Sequence, residues 1–447
     1  MADKPKYKYT THFKKADLDN IGFSLWTPSV RDWRDVIADY IEISKKRNRN
    51  KLAMFKLQVN LLGDIVLVND TIKGYIKLIE DPEERKSKFP DIDIKEKTIE
   101  YWGSEIKSFK IILNALKDIG DGIAWRVLNY NRPLIYNMCV NNTDPGPLTI
   151  NQGLLTELHS LGDFSNDPEV INFVYHGITN FLLISDLTIV YKNGDINFVE
   201  IKSGKNPRGK SWKERLERQK MKVENIVKIG NESLGESSNV TAKFRFVKNK
   251  PQTILDKLDT LLKRMKGEPI ITQIFNSYLG LGVYNISAIK EDKNIDKLDK
   301  LAHQIKKSEK DIIIFPNSME NYIFSPNRAP LSIHPFSSEA IANILLGRYL
   351  ITYFFNVSQF IREIESKGWQ VIDIIYNRKN RSDPHLFSVK KNGLTLQFPP
   401  TEASRAIFEG LSVDSIVQTF EDALSKGPID AEYALFYGYE KEKYLWD

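Results

Sequence analysis

The segment Ile184 to Gly204, ISDLTIVYKNGDINFVEIKSG, constrains this chain most, because it sets Asp186, Glu200 and Lys202 inside two otherwise apolar strands. Asn193-Gly194 between the apolar runs marks a hairpin turn. A charge in a buried strand is unfavourable by several kcal/mol unless it is paired or binds a metal, so these positions call for a chemical reason. Glu200 and Lys202 are two apart and share one strand face, while Val199 and Ile201 point the other way into packing.

Register decides whether Asp186 joins them. A two-residue turn at Asn193-Gly194 pairs Lys192 with Asp195 and sets Asp186 against Ile201, mixing charged and apolar groups. A three-residue loop, Lys192 to Gly194 with Gly194 left-handed, pairs Tyr191 with Asp195 instead. It sets Leu187 against Val199, Thr188 against Phe198 and Asp186 against Glu200. The second register segregates the charges onto one face and is the one predicted. Two carboxylates a few ångströms apart beside a lysine suit a hard divalent cation, Mg2+ or Mn2+. Such an ion polarises a phosphoryl oxygen and activates water, and the lysine can hold that water and offset developing charge.

These residues resemble the PD-(D/E)XK nuclease superfamily, the restriction-endonuclease-like fold. Its Asp at the start of one strand is matched by Asp186, and its acidic residue, any residue, then Lys by Glu200-Ile201-Lys202; Ser185 replaces the proline. The resemblance spans roughly Ser104 to Lys248. It implies that Asp186 and Glu200 ligate the metal, that the Ile201 carbonyl adds a ligand, and that Lys202 serves the attacking water. It also implies metal-dependent phosphodiester hydrolysis, of DNA rather than RNA, and a role in bacterial defence against phage. The alternatives are an RNase toxin and a noncatalytic nucleic-acid-binding or scaffolding protein with a degenerate nuclease fold. The bland reading of Glu200 and Lys202 is an exposed cross-strand ion pair worth little energetically.

The surroundings are consistent with a phosphate-bearing partner. From Lys202 to Lys222 only Glu214 and Glu217 oppose a dense run of lysine and arginine, and Lys205, Arg208, Lys210 and Lys213 follow the ExK tripeptide directly. In the amphipathic helix expected over Ser211 to Ile229, Gln219 lies on the apolar stripe between Leu216 and Val223. It is either a satisfied core-edge amide or, by the resemblance, a support for the site. The superfamily also draws a carboxylate from a preceding helix. Asp121, flanked by Gly120 and Gly122 that permit close approach of backbone or substrate, is preferred, with Glu157 as rival. His159 and His176 read as packing or hydrogen-bonding residues, and His334 in LSIHPF as part of a turn. Gly280-Leu281-Gly282 lacks the lysine of a phosphate-binding loop.

A chain of 447 residues predicts two or three domains. The expected division is a helical region over 1–100, a nuclease-like core over 101–266 and an α/β domain over 267–447, with the boundary at Gly267 to Pro269. The fold class is therefore α/β, a mixed sheet flanked by helices between helical and α/β ends. Expected helices include Val30 to Ile43, Leu52 to Gly74, Ser104 to Asn129, Pro251 to Met265, Asn294 to Lys307, Ser337 to Ser366 and Thr401 to Lys426, with a linker over Glu80 to Lys97. Strands are expected at Thr241 to Val247, Asp311 to Phe315, Gln370 to Tyr376 and in a hairpin over Leu386 to Phe398.

One cysteine, Cys139, and six scattered histidines exclude an intramolecular disulfide and a thiolate zinc site, and point to a reducing, cytoplasmic setting. The N-terminus lacks the apolar core of a signal peptide. The nearest approach to a membrane span, Ala340 to Val357, is shorter than ~20 residues, contains Asn343 and Arg348, and reads as a buried helix. Net charge is +6, from 64 basic and 58 acidic residues, a mild excess compatible with nucleic acid. The C-terminal region is assigned no chemistry and is where a protein partner or second copy would dock.

Overall fold

A computed structural model describes residues 26–45, 51–90, 94–139, 152–182, 185–199, 201, 234–237, 240–247, 250–265, 267–288, 312–317, 329–372, 387–398, 405–425 and 433–439. The described residues from Trp26 to Glu80 are helical, matching the helices expected over Val30 to Ile43 and Leu52 to Gly74. Helix α1 (Trp26–Lys45) buries Trp33, Ile37 and Ile41 along one face, and α2 (Lys51–Glu80) buries Leu57, Leu61, Ile65, Val68 and Ile72 at the same helical spacing. Among the described residues α2 is the one helix long and apolar enough to cross a membrane by length and composition, and 44 % of that apolar stretch is buried inside the protein.

Part of the expected linker is a helix. Asp81 caps α3 (Pro82–Lys88) by accepting the Glu83 and Glu84 amides at 2.9 and 3.2 Å, and Pro82 supplies a preset first-turn φ. The long helix α4 (Glu96–Val127) begins about two turns before its expected start at Ser104. Every residue from Ala115 to Trp125 is buried, so this half of α4 is a hub enclosed on all sides. Two short helices follow, α5 (Arg132–Cys139) and α6 (Gln152–Asn166).

Among the described residues the strands build four small sheets rather than one broad sheet. In the first, β1 (Val170–Tyr175), β2 (Leu187–Tyr191) and β3 (Ile196–Val199) form an antiparallel meander. The outer edge of β1 is sealed by Gln58 of α2, whose amide donates to Phe173 O at 3.0 Å and accepts from Tyr175 N at 2.8 Å. That bidentate contact satisfies backbone groups that an open edge would leave for another strand. In the second sheet β4 (Leu234–Ser237) pairs antiparallel with β5 (Val240–Val247). Helix α7 (Leu255–Lys263) then leads to β6 (Ile270–Ile274) and β7 (Leu279–Asn285), two strands with no counterpart in the sequence reading. Gly280 and Gly282 lie in β7 as ordinary strand residues opposite Ile274 and Thr272.

The stretch from Ala340 to Val357 is not one buried helix. Ser337 caps α8 (Ser338–Leu345), the chain reverses at Gly347 with φ +70°, and Tyr349–Asn356 becomes strand β9. A continuous apolar run does not reveal its period, and here the β-branched and aromatic residues decide for strand. Strand β9 lies between β7 and β8 (Ile312–Asn317), giving the order β6-β7-β9-β8. Helix α9 (Val357–Ser366), capped by Asn356, follows it. Strands β10 (Gln370–Ile372), β11 (Phe387–Lys391) and β12 (Leu394–Phe398) form the third sheet in sequence order. The expected helix from Thr401 to Lys426 is broken: a π-helical turn over Arg405–Glu409 ends at Gly410, φ +59°, and α10 runs from Val413 to Ser425. A Cβ on Gly410 would overlap the Ile254 side chain, which explains glycine there.

Strand β13 (Tyr433–Tyr439) pairs in parallel with β5, so this sheet spans the expected edge at 267. The architecture is a mixed α/β class of helices and small sheets. A contiguous buried cluster joins Trp33 of α1, Ile119 of α4, Ile189 of β2, Leu281 of β7 and Phe420 of α10.

Candidate functional site

The central hairpin adopts the three-residue loop. Tyr191 N donates to Asp195 O at 2.9 Å, Gly194 takes φ +90°, and the pairs Thr188–Phe198 and Leu187–Val199 follow. Asn193 holds the loop by accepting the Asp195 amide at 3.0 Å. The register is thus the one chosen from charge segregation, as far as its last described pair, Leu187 with Val199.

Asp186 departs from regular pairing. In a regular strand a residue's N–H and C=O face the same neighbour. Here the Asp186 carbonyl accepts from His176 N at 2.9 Å on the β1 side, whereas its N–H donates to Val199 O at 3.1 Å on the β3 side. Asp186 and Leu187 therefore both address Val199, the two-against-one arrangement of a β-bulge, which re-aims a side chain. The half-buried Asp186 carboxylate turns to Ile201, accepting its amide N–H on Oδ2 at 2.6 Å. The two parts of the motif are tied directly by this bond.

Around the bulge lies His176, which the sequence reads as a packing or hydrogen-bonding residue. The ring of His176, buried, places Nε2 2.7 Å from Thr188 Oγ1 and Nδ1 3.4 Å from Ser185 Oγ. Ser185 and Thr188 are three apart and would face opposite ways on a regular strand; the extra residue brings both to one ring. Burial pushes His176 down to about 3, against a bond to the Ser185 backbone that favours its charged form. It is neutral near pH 7, and so weakly basic a ring is poorly suited to general-base work.

Beside it, Tyr175 is fixed at both ends. Its amide is held by Gln58, its ring lies where a Cβ on Gly177 would collide with it, and its hydroxyl donates to Glu157 Oε2 at 2.5 Å. Burial first, then the bond to Glu157 and the negative charges of Glu157 and Asp186, drives the phenol above its ordinary range. Glu157 and Asp186 thus both act on one phenol.

Asp121 has a different task. Its carboxylate accepts from Asn180 N at 2.7 Å and Asn180 Nδ2 at 2.8 Å, clamping the segment between β1 and β2 onto α4. Burial pushes it up to about 8, against those bonds, which favour the charged form. The flanking glycines serve the close approach expected of them: a Cβ on Gly120 would overlap the Ile178 carbonyl, and one on Gly122 the Ser332 hydroxyl. Of the two rival helix carboxylates, Glu157 is connected to the hairpin site through Tyr175, while Asp121 is engaged with Asn180.

Glu200, Lys202, Lys205, Arg208, Lys210, Lys213 and Gln219 lie outside the described residues. Among the described residues no three His, Cys, Asp or Glu side chains are grouped to hold a metal ion. His334 follows the expected turn, Leu331–Ile333, and is buried, which pushes its imidazole down to about 4. Compared with known protein families, with characterised proteins and with solved structures, the chain matches none.

Proposed function

We propose that the hairpin is the active edge of a metal-dependent nuclease of the PD-(D/E)XK type that hydrolyses phosphodiester bonds, DNA in preference to RNA. The observation that carries the reading is the 2.6 Å bond from Ile201 N to the Asp186 carboxylate, which joins the lone aspartate to the Glu200-Ile201-Lys202 tripeptide. A structural ion pair on an exposed face needs neither a bulge nor a carboxylate turned onto the backbone of that tripeptide.

The donors are oxygens, a set that fits Mg2+ or Mn2+ and not zinc held by thiolates. Asp186 and Glu200 hold the ion, with the Ile201 carbonyl, and Glu157 replaces Asp121 as the helix carboxylate. Bound Mg2+ or Mn2+ supplies Lewis acidity at the scissile phosphoryl group. Lys202 orients the attacking water and offsets charge gathering on the phosphate. Lys205, Arg208, Lys210 and Lys213 contact the backbone beside the scissile bond, and Gln219 supports the site. The setting is the reducing cytoplasm, and the role is defence against invading DNA.

The test is cleavage of plasmid, single-stranded DNA and total RNA with Mg2+ or Mn2+, comparing the wild type with Asp186→Asn, Glu200→Ala and Lys202→Ala. Metal-dependent cleavage of DNA that falls at least about 100-fold in each folded variant is expected. Cleavage of RNA alone moves the substrate, and a wild type that binds nucleic acid but cleaves neither leaves a scaffold.

A further inference from the structure

We infer that His176 is a positioning residue that locks the β-bulge at Asp186 and so sets the direction of its carboxylate. Three contacts from one residue straddle the bulge. The His176 amide donates to Asp186 O at 2.9 Å, its Nε2 meets Thr188 Oγ1 at 2.7 Å two residues later, and its Nδ1 faces Ser185 Oγ one residue earlier. Ser185 Oγ in turn donates to Leu187 O at 3.0 Å, closing a ring of polar contacts around the bulged residue. The imidazole and Thr188 are both buried, so the bond between them is made where water cannot replace it.

A bulge left without such a brace can slip back into register. Asp186 N–H would then leave Val199, and its carboxylate would leave the Ile201 amide. His176 therefore acts through Asp186 and not on substrate, in the way outer groups orient metal-binding side chains. A buried histidine serving packing alone requires neither ring nitrogen to face a hydroxyl of the same strand. The claim about Asp186 stands on the metal-free protein, and only its consequence for metal affinity rests on the nuclease reading.

The experiment uses the full chain and two readouts. Hydrogen exchange at the Ile201 amide reports the Asp186 carboxylate without metal, and Mn2+ titration followed by the paramagnetic resonance of the free ion reports affinity. The variants are His176→Asn, the isosteric Thr188→Val, and Asp186→Asn as reference. In folded His176→Asn and Thr188→Val, Ile201 exchange should accelerate about tenfold or more, toward the reference, with Mn2+ binding weakened about tenfold. Thr188→Val keeps the test open should the histidine variant fail to fold. Ile201 exchange unchanged in a folded variant overturns the inference, as does lowered thermal stability with both readouts at wild-type values. Wild-type protein that binds no Mn2+, with Ile201 exchange still accelerated in the variants, removes the metal-site reading and sustains the role of His176.

Discussion

At the scale of single residues, Asp118 and Asp121 show how one turn of helix can organise two distant segments. Asp118 accepts from Leu331 N at 3.0 Å and Ser332 N at 2.8 Å, while Asp121, three residues on, accepts from Asn180. Burial raises both, Asp118 to about 6 and Asp121 to about 8. A carboxyl whose folded pKa is raised contributes stability that is full below its unfolded value near 3.8 and is lost as pH rises through the folded value. The thermal midpoint should therefore decline between about pH 6.5 and pH 8, above the range in which the buried His176 and His334, depressed to about 3 and about 4, oppose it. In Asp121→Asn a flip of the Asn180 amide preserves the side-chain bond and the titrating proton is gone. The variant's melting curves should show a shallower decline than the wild type over that range; an unchanged slope would refute the assignment.

At the scale of elements, two Asn-Gly dipeptides make different turns. Asn392 and Gly393 both take positive φ, +49° and +82°, and join β11 to β12 directly through the Lys391–Leu394 pair. At Asn193-Gly194 only Gly194 is left-handed, and Lys192 joins the loop. The dipeptide alone does not choose between them; the burial of Leu187 and Ile189 does, because a one-residue slip of β3 would oppose each residue of β2 by a side chain of the wrong face. The helical glycines separate just as cleanly. Gly63 is exposed in α2 with open space where a Cβ would sit, so Gly63→Ala should stabilise by about 0.5–1 kcal/mol. Gly120 meets a backbone carbonyl, so Gly120→Ala should destabilise by about 1–3 kcal/mol. Urea denaturation of both variants checks the pair, and shifts of the same sign would refute the packing at α4.

At the scale of the molecule, buried polar bonds tie together the regions that composition separates. Arg132, after α4, donates to both oxygens of Glu409 at 2.8 and 3.0 Å, and Arg405 Nε adds a third bond at 3.2 Å. Arg132 also lies over the Trp125 ring, 4.9 Å from its centroid. Burial alone would raise Glu409, but the two guanidiniums outweigh it and hold the carboxyl below its ordinary range. Its stabilising contribution is present above the ordinary glutamate range and is lost as pH falls through the folded value. Glu409→Ala removes the carboxylate that both buried guanidiniums share and should destabilise by about 3–5 kcal/mol. Chemical denaturation measures this, and a loss below about 1 kcal/mol would mean that these regions are not coupled through the pair. Lys45 to Phe336 O, and Gln252 N to Ser415 Oγ at 2.8 Å, tie further segments far apart in sequence.

The amino-acid sequence by itself determined helices α1 and α2 and most of α4, the hairpin register and the glycine-dependent approaches to α4. Each follows from local rules: a periodic apolar face, the segregation of charged from apolar positions on paired strands, or a residue lacking Cβ. It also singled out Asp186, Glu200 and Lys202, because charges among apolar strand residues are locally anomalous. Tertiary structure alone decided that β5 pairs with β13, that the apolar run after Ala340 divides into helix and strand, and that Glu157 and His176 stand at the hairpin. Those outcomes depend on which surfaces meet across long stretches of chain. A carboxylate on α6 or a histidine after β1 acquires its partner only when that meeting occurs, and no spacing along the chain records it.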